Sequence, residues 1–227
     1  MMINKILEYL DTLYPNPVCE LKYSKDYELL LAIVMSAQTT DKRVNMVNDI
    51  LFKKYDTLEK LATANIEDIE DIIKPIGTYK KKSVFIKEIA TKLINDNKEK
   101  IPSDRKYLES LPGVGRKTTN VFLSVIYNTP AIAVDTHVER VSKRLGLAKE
   151  NDNVLNVEKK LMKKIPKEKW SKTHHQLVFF GRYKCKSIKP ECDDCNLKDI
   201  CKYYKKYNKK KTNIVIESNN INKLSIN

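Results

Sequence analysis

Four cysteines, Cys185, Cys192, Cys195 and Cys201, fall as Cys-x6-Cys-x2-Cys-x5-Cys in a loop too short and too polar to pack a core of its own. Such a loop needs a cross-link, and four soft ligands that bind metal as thiolates suit zinc or an iron–sulfur cluster. Structural zinc sites usually pair two Cys-x2-Cys knuckles, and this run has one. Its wider outer spacings fit a larger cluster better, with zinc and four unmetallated thiols open as alternatives. The fifth cysteine, Cys19, reads as a buried hydrophobe. Arg182, Lys184, Lys186, Lys189 and Lys198 surround the thiols. They suit a loop that contacts phosphate, and equally a solvated loop in a Lys-rich chain.

A second group with chemical potential is LPGVGRKTTNVFLSVI at 111–126. Gly113 and Gly115 let the backbone turn sharply and leave no Cβ between its N–H groups and an approaching anion, while the following helix presents its positive end. That arrangement holds a phosphate without reading sequence. An ordinary helix-turn-helix corner is the plainer reading, and Leu111, Arg116, Lys117, Thr118 and Thr119 around the glycines weigh against it.

The elements that must position these groups are helices. Apolar residues recur at three-and-four spacing from residue 1 to about 202, as in Ile6, Leu10 and Leu13, or Val44, Val47, Ile50 and Leu51. Start signals stand at Asp26, Thr40, Asn65, Ser103 and Asp135, and stops at Pro75-Ile76-Gly77, Pro102, Pro112-Gly113, Gly146 and Pro166. Many short helices joined by brief turns, with no internal repeat, predict an all-α fold. Two short stretches, 131–138 and 213–217, could be extended instead. After Cys201 the composition shifts to Lys, Asn, Ser and Tyr, so 203–227 reads as a basic tail without a core.

The chain has 227 residues, 41% of them hydrophobic, enough for one or two ordinary domains. No apolar run reaches the length of a membrane span, and the amphipathic N-terminus is interrupted by Lys5, Glu8 and Asp11, unlike a signal peptide. An odd number of cysteines with no export signal argues for a reducing compartment and against a disulfide framework. A net charge of +14 is the balance of a polyanion binder, with nucleic acid the leading partner class. The excess is mostly Lys in a chain also rich in Asn and Ile, so coding bias is a competing explanation.

Three blocks, SAQTTD at 36–41, LPGVGRKT at 111–118 continuing into AVDTHVERV at 133–141, and HHQLVFFGRYKC leading into the cysteine loop, together resemble the endonuclease III family of helix-hairpin-helix DNA glycosylases. The resemblance covers about residues 2–202. It implies two helical lobes, one of 22–130 containing the hairpin and one of 1–21 plus 131–202 carrying the cysteine loop, with a DNA cleft between them. It also implies a 4Fe-4S cluster on Cys185, Cys192, Cys195 and Cys201.

By the same resemblance Lys117 is the nucleophile and Asp135 assists it. The residue types are coherent with that chemistry: only an amine can displace the base and remain as a Schiff base that favours β-elimination. An ordinary Lys is only about 0.04% free amine at pH 7, so the site must favour the neutral form or deprotonate it on binding. Asp135 suits stabilisation of an oxocarbenium-like sugar and proton relay through water, and it is equally suited to cap the helix that follows. His137, His174 and His175 are expected to serve as structural hydrogen-bonding groups.

Excision inside a duplex requires extruding the base and filling the gap. The resemblance assigns the filling to Gln38. A second wedge, commonly Leu in an Ile-Gly-Leu-Tyr turn, here reads Ile76-Gly77-Thr78-Tyr79, so Tyr79 or a shifted loop is expected to compensate for the smaller Thr78. Leu111, Gly113, Gly115, Arg116, Thr118, Lys186 and Lys189 are the remaining expected DNA contacts.

The expected activity is that of a monomeric, cytoplasmic, nucleoid-associated glycosylase and AP lyase acting on oxidised or ring-saturated pyrimidines in double-stranded DNA. A monofunctional mismatch glycosylase and a non-catalytic iron–sulfur DNA-binding or electron-transfer protein are the alternatives. Lys117 and the short C-terminal segment favour the bifunctional enzyme.

Overall fold

Leu29 to Met35 form an unbroken apolar run that cannot face water on any side. In the computed structural model, which describes residues 2–98 and 100–206, it is the buried helix around which others pack. In chain order the α-helices are α1 (Met2–Leu13), α2 (Asp26–Met35), α3 (Asp41–Lys54), α4 (Leu58–Thr63), α5 (Ile66–Ile73), α6 (Tyr79–Asn95), α7 (Arg105–Glu109), α8 (Arg116–Tyr127), α9 (Thr136–Leu145), α10 (Val154–Lys164) and α11 (Trp170–Phe179). A π-helical turn, Phe180–Lys184, continues α11, and residues 202–206 are also helical. There is no strand among the described residues, so 131–135 passes as irregular chain into α9, while the candidate stretch 213–217 lies outside them. The expected basic tail is likewise outside from 207 onward; its first residues, 203–206, are helix. No described helix is long and apolar enough to cross a membrane.

The chain divides into two units, Val18–Ala133 and Met1–Pro17 with Val134–Asn227. In Val18–Ala133, α2 packs against α3, α6 and α8, and α6 against α4 and α5. Its core runs through Val44, Val47, Leu51, Leu61, Ile69, Ile73, Ile86, Ile89, Leu93 and Phe122, with Cys19 half-buried against it. Burying such side chains contributes roughly 1.5–3 kcal/mol each relative to exposure, before chain entropy is set against it.

In the other unit, α1 packs on α11, with Tyr9 edge-on to Phe180 and Tyr14 edge-on to Phe179. The buried Gln176 amide donates to Asp11 at 2.8 Å and to the Tyr14 carbonyl at 3.0 Å. The N-terminal helix is thereby fixed to the segment that leads into the cysteine loop. Gly181 marks a close approach, because a Cβ there would lie 2.8 Å from the His137 Cβ of α9.

Candidate active site

The hairpin is built by α7, the turn 110–115 and α8. Asp104 caps α7 by accepting the Tyr107 amide at 2.6 Å, and the Val114 amide donates to the Leu111 carbonyl at 3.1 Å. Leu111 and Val114 are buried and hold the turn down, while Gly113, Gly115, Arg116 and Lys117 are exposed. Gly113 has φ +72°, where only glycine is unstrained, and a Cβ there would run into the Phe85 ring of α6. Gly115 is the N-cap of α8 and has no side chain to offer the helix amides; open space surrounds the position of a Cβ. The first amides of α8 therefore point where an anion can approach, with Lys117 in that first turn.

Below the exposed turn, α8 is held by Asn120. This buried amide donates to the Ile132 carbonyl at 3.0 Å and accepts from Arg105 at 2.7 Å. Lys117 is thus an exposed amine on a helix whose inner face is locked.

Gln38 lies in the same unit, exposed in the turn between α2 and α3, with φ 58°. Thr78 at the N-terminus of α6 has φ 56°, an outlier for a β-branched residue. The two turns are neighbours: a Cβ on Gly77 would lie 3.8 Å from the Gln38 carbonyl oxygen. Tyr79 packs against the core, so the exposed side chain of its turn is Thr78. Strained residues of this kind persist where the surroundings over-determine them.

In the other unit, half-buried Asp135 caps α9, its Oδ1 accepting the Val138 amide at 2.7 Å. The chain emerges into α9 with two arginines one turn apart that reach the cysteine loop. Arg140 donates to the Gly181 carbonyl at 2.7 Å, and Arg144 to the Lys186 carbonyl at 2.6 Å and the Ser187 carbonyl at 3.1 Å. Arg144 also lies 3.5 Å from the Cys185 Sγ, while the Cys201 thiol points at the Arg144 carbonyl at 3.4 Å. His137 Nδ1 lies 3.2 Å from the Arg140 guanidinium, which can only donate, so that nitrogen accepts and Nε2 carries the proton.

Cys185, Cys192, Cys195 and Cys201 line one shared space together with Leu145, Phe180 and Pro190. No three His, Cys, Asp or Glu side chains among the described residues come together as ligands of a single ion. Four thiols around one space are a donor set suited to a thiolate-bound metal group. Burial pushes the Cys192, Cys195 and Cys201 thiols up, and the neighbouring thiols add to this, so a metal group would enter with loss of protons. Lys186 pairs with Glu191 at 2.7 Å, and Lys189 is exposed at φ 49°.

Lys117, Gln38, Leu111, Gly113, Gly115, Arg116 and Thr118 thus share the Val18–Ala133 unit, and Asp135, the four cysteines, Lys186 and Lys189 the other. Sequence reasoning passed over Phe85, Lys82, Arg140 and Arg144. Lys82 carried a readable signal, since it stands on the apolar stripe of α6 four residues before Ile86 and seven before Ile89.

Residues 31–167 match the family of HhH-GPD superfamily base excision DNA repair proteins. Endonuclease III of Bacillus subtilis (strain 168) is 48% identical over 204 residues, covering 90% of this chain and 93% of that one. Among solved structures, a trapped endonuclease III–DNA covalent intermediate in an estranged-adenine complex superposes with TM-score 0.87 at 48% identity, covering 90% of this chain and 96% of that one. A thermostable thymine-DNA glycosylase superposes with TM-score 0.76 at 26% identity, covering 90% and 95%.

Proposed function

The chain belongs to the HhH-GPD superfamily of base excision DNA repair proteins, and within it to the endonuclease III family; from that premise we propose that it is a bifunctional DNA glycosylase and AP lyase. Its substrate class is duplex DNA with an oxidised or ring-saturated pyrimidine, or an abasic site, and it acts as a monomer. The observation that carries this reading is Lys117, an exposed amine in the first turn of α8 beside a glycine-capped, anion-accepting helix end.

The deprotonated Lys117 amine adds to C1′ as the glycosidic bond breaks and its electron pair leaves with the base. Proton loss from nitrogen and opening of the sugar ring give the Schiff base. Departure of a C2′ proton then expels the 3′ phosphate, cutting the strand. Asp135 supports the positive charge developing on the sugar and relays protons through water; with Oδ1 engaged in capping α9, its other oxygen serves that role. Gln38 fills the place of the extruded base. Leu111, Gly113, Gly115, Arg116 and Thr118 hold phosphate at the hairpin, and Lys186 and Lys189 extend the contact.

Cys185, Cys192, Cys195 and Cys201 would hold a 4Fe-4S cluster, supported by their place around one shared space. Bound there, the cluster supplies a cross-link and a redox-capable centre. Arg140, through the Cys185 carbonyl, and Arg144, through the Lys186 and Ser187 carbonyls, fasten the loop to α9. Metal-binding thiols and a DNA substrate suit a cytoplasmic, nucleoid-associated setting.

Borohydride trapping on a duplex with one thymine glycol or abasic site tests the reading, with the Lys117→Ala variant alongside. An adduct formed only by the chain with Lys117 is expected. No adduct from folded, metal-loaded protein on either substrate would overturn the lyase and leave a monofunctional glycosylase or a DNA binder.

A further inference from the structure

Lys82 is a buried amine that the lyase chemistry leaves without a task, 3% exposed in the first turns of α6. An ammonium has three donors, and here each meets an oxygen: the Met35 carbonyl at 2.8 Å, the Ala37 carbonyl at 2.8 Å and the Thr39 hydroxyl at 3.2 Å. The two carbonyls stand at the C-terminal end of α2, where carbonyls lack helical partners and the helix dipole favours a cation. A buried ammonium is costly unless fully hydrogen-bonded, so its place at this end of α2 calls for a reason beyond packing.

The residues it holds are the reason. Ala37 and Thr39 stand on either side of Gln38, which they leave exposed in the left-handed region at φ 58°. A non-glycine residue is strained there, and an untethered turn would relax. The neighbouring Thr78 turn is closed by backbone bonds of α6 itself, the Lys81 and Lys82 amides both donating to the Thr78 carbonyl at 3.1 Å.

We infer that Lys82 is a positioning residue, whose buried ammonium holds Gln38 in its inserting conformation before DNA arrives. This rests on the reading of Gln38 as the residue that replaces the extruded base. Ordering the turn in advance removes an entropic cost from binding at the lesion and leaves the phosphate contacts of the hairpin unaffected.

The test measures affinity for a duplex with one tetrahydrofuran abasic-site analogue and for the undamaged duplex of the same sequence. The proteins are wild type, Lys82→Met, Thr39→Val, Gln38→Ala and the two double variants with Gln38→Ala. Lys82→Met is expected to lose about tenfold of the preference for the analogue and Thr39→Val about threefold, with affinity for undamaged duplex held within about twofold. In the Gln38→Ala background neither change should lower the preference further. A purely structural role would instead add to Gln38→Ala or weaken both duplexes alike, and either result overturns the inference. If Lys82→Met does not fold, the Thr39→Val cycle decides by the same criteria. If Gln38→Ala keeps the full preference, the reading of Gln38 falls and the inference with it; an impaired Gln38→Ala beside an unimpaired Lys82→Met defeats the inference alone.

Discussion

The Phe85 ring of α6 lies so close beneath Gly113 that a Cβ on the glycine would meet ring carbon Cδ2 at 2.5 Å. Two independent constraints, this contact and φ +72°, therefore exclude a side chain. Gly113→Ala is expected to cost about 1–3 kcal/mol in urea melts and to weaken binding to undamaged duplex. Adding Phe85→Leu relieves the contact but not the backbone, so it should restore only part of the stability. Full restoration would show that φ is not a constraint here.

Asp135 combines a cap and a charge, and two substitutions separate them. Asparagine caps as well as aspartate, so Asp135→Asn should stay within about 0.5 kcal/mol of wild type in denaturant melts, whereas Asp135→Ala should lose about 1 kcal/mol. Both remove the charge, and both should slow single-turnover base release by at least about tenfold. Near-normal release by the asparagine variant would reduce Asp135 to its capping role.

Sequence made some of this legible and hid the rest for physical reasons. Thr40, Asn65 and Asp135 cap α3, α5 and α9 as their side chains suggest, because a short oxygen-bearing residue before an apolar period satisfies amides locally. At α7 the cap is Asp104, not Ser103. At α2 the start moves one residue: Glu28 accepts the Ser24 and Lys25 amides from inside the helix, while Asp26 is drawn to the distant Ile101 amide at 2.9 Å. The Gly-x-Gly turn was legible, but Phe85 beneath it comes from a helix nearly thirty residues earlier and has no local mark. The cysteine spacing suggested a cluster; that Arg144 of α9 fastens the loop depends on packing. The place of Lys82 on the apolar stripe of α6 was readable, but the carbonyls that receive it were not, since they depend on where α2 ends.

His137 and His175 should make stability fall in acid. Burial pushes both below the usual imidazole range, reinforced by Arg140 and Arg182 at His137, where Asp135 opposes it, and by Arg182 at His175. The folded protein then binds fewer protons than the unfolded chain. The stability these groups contribute is full above the ordinary imidazole pKa of about 6.5 and is lost as pH falls toward the depressed folded values. Thermal melts should drop between pH 7.5 and 5.5, and His175→Gln, which takes no proton, should flatten the drop. An equal drop in that variant would place its origin elsewhere.

Salt dependence separates the basic residues expected on DNA. Each phosphate contact contributes about −0.9 to the slope of log affinity against log salt, so Arg116→Ala and Lys189→Ala should each make the slope shallower by about one. Lys186 already faces Glu191 at 2.7 Å, both side chains nearly half exposed, a pairing worth little by itself. Moving the Lys186 amine to a phosphate leaves Glu191 facing the polyanion, so Lys186→Ala should change the slope less than Lys189→Ala does. Glu191→Gln should tighten binding at every salt concentration. If Lys186 and Lys189 give equal changes, the ion pair opens fully on DNA; a slope unmoved by any of the three alanine variants would remove these residues from the phosphate contact.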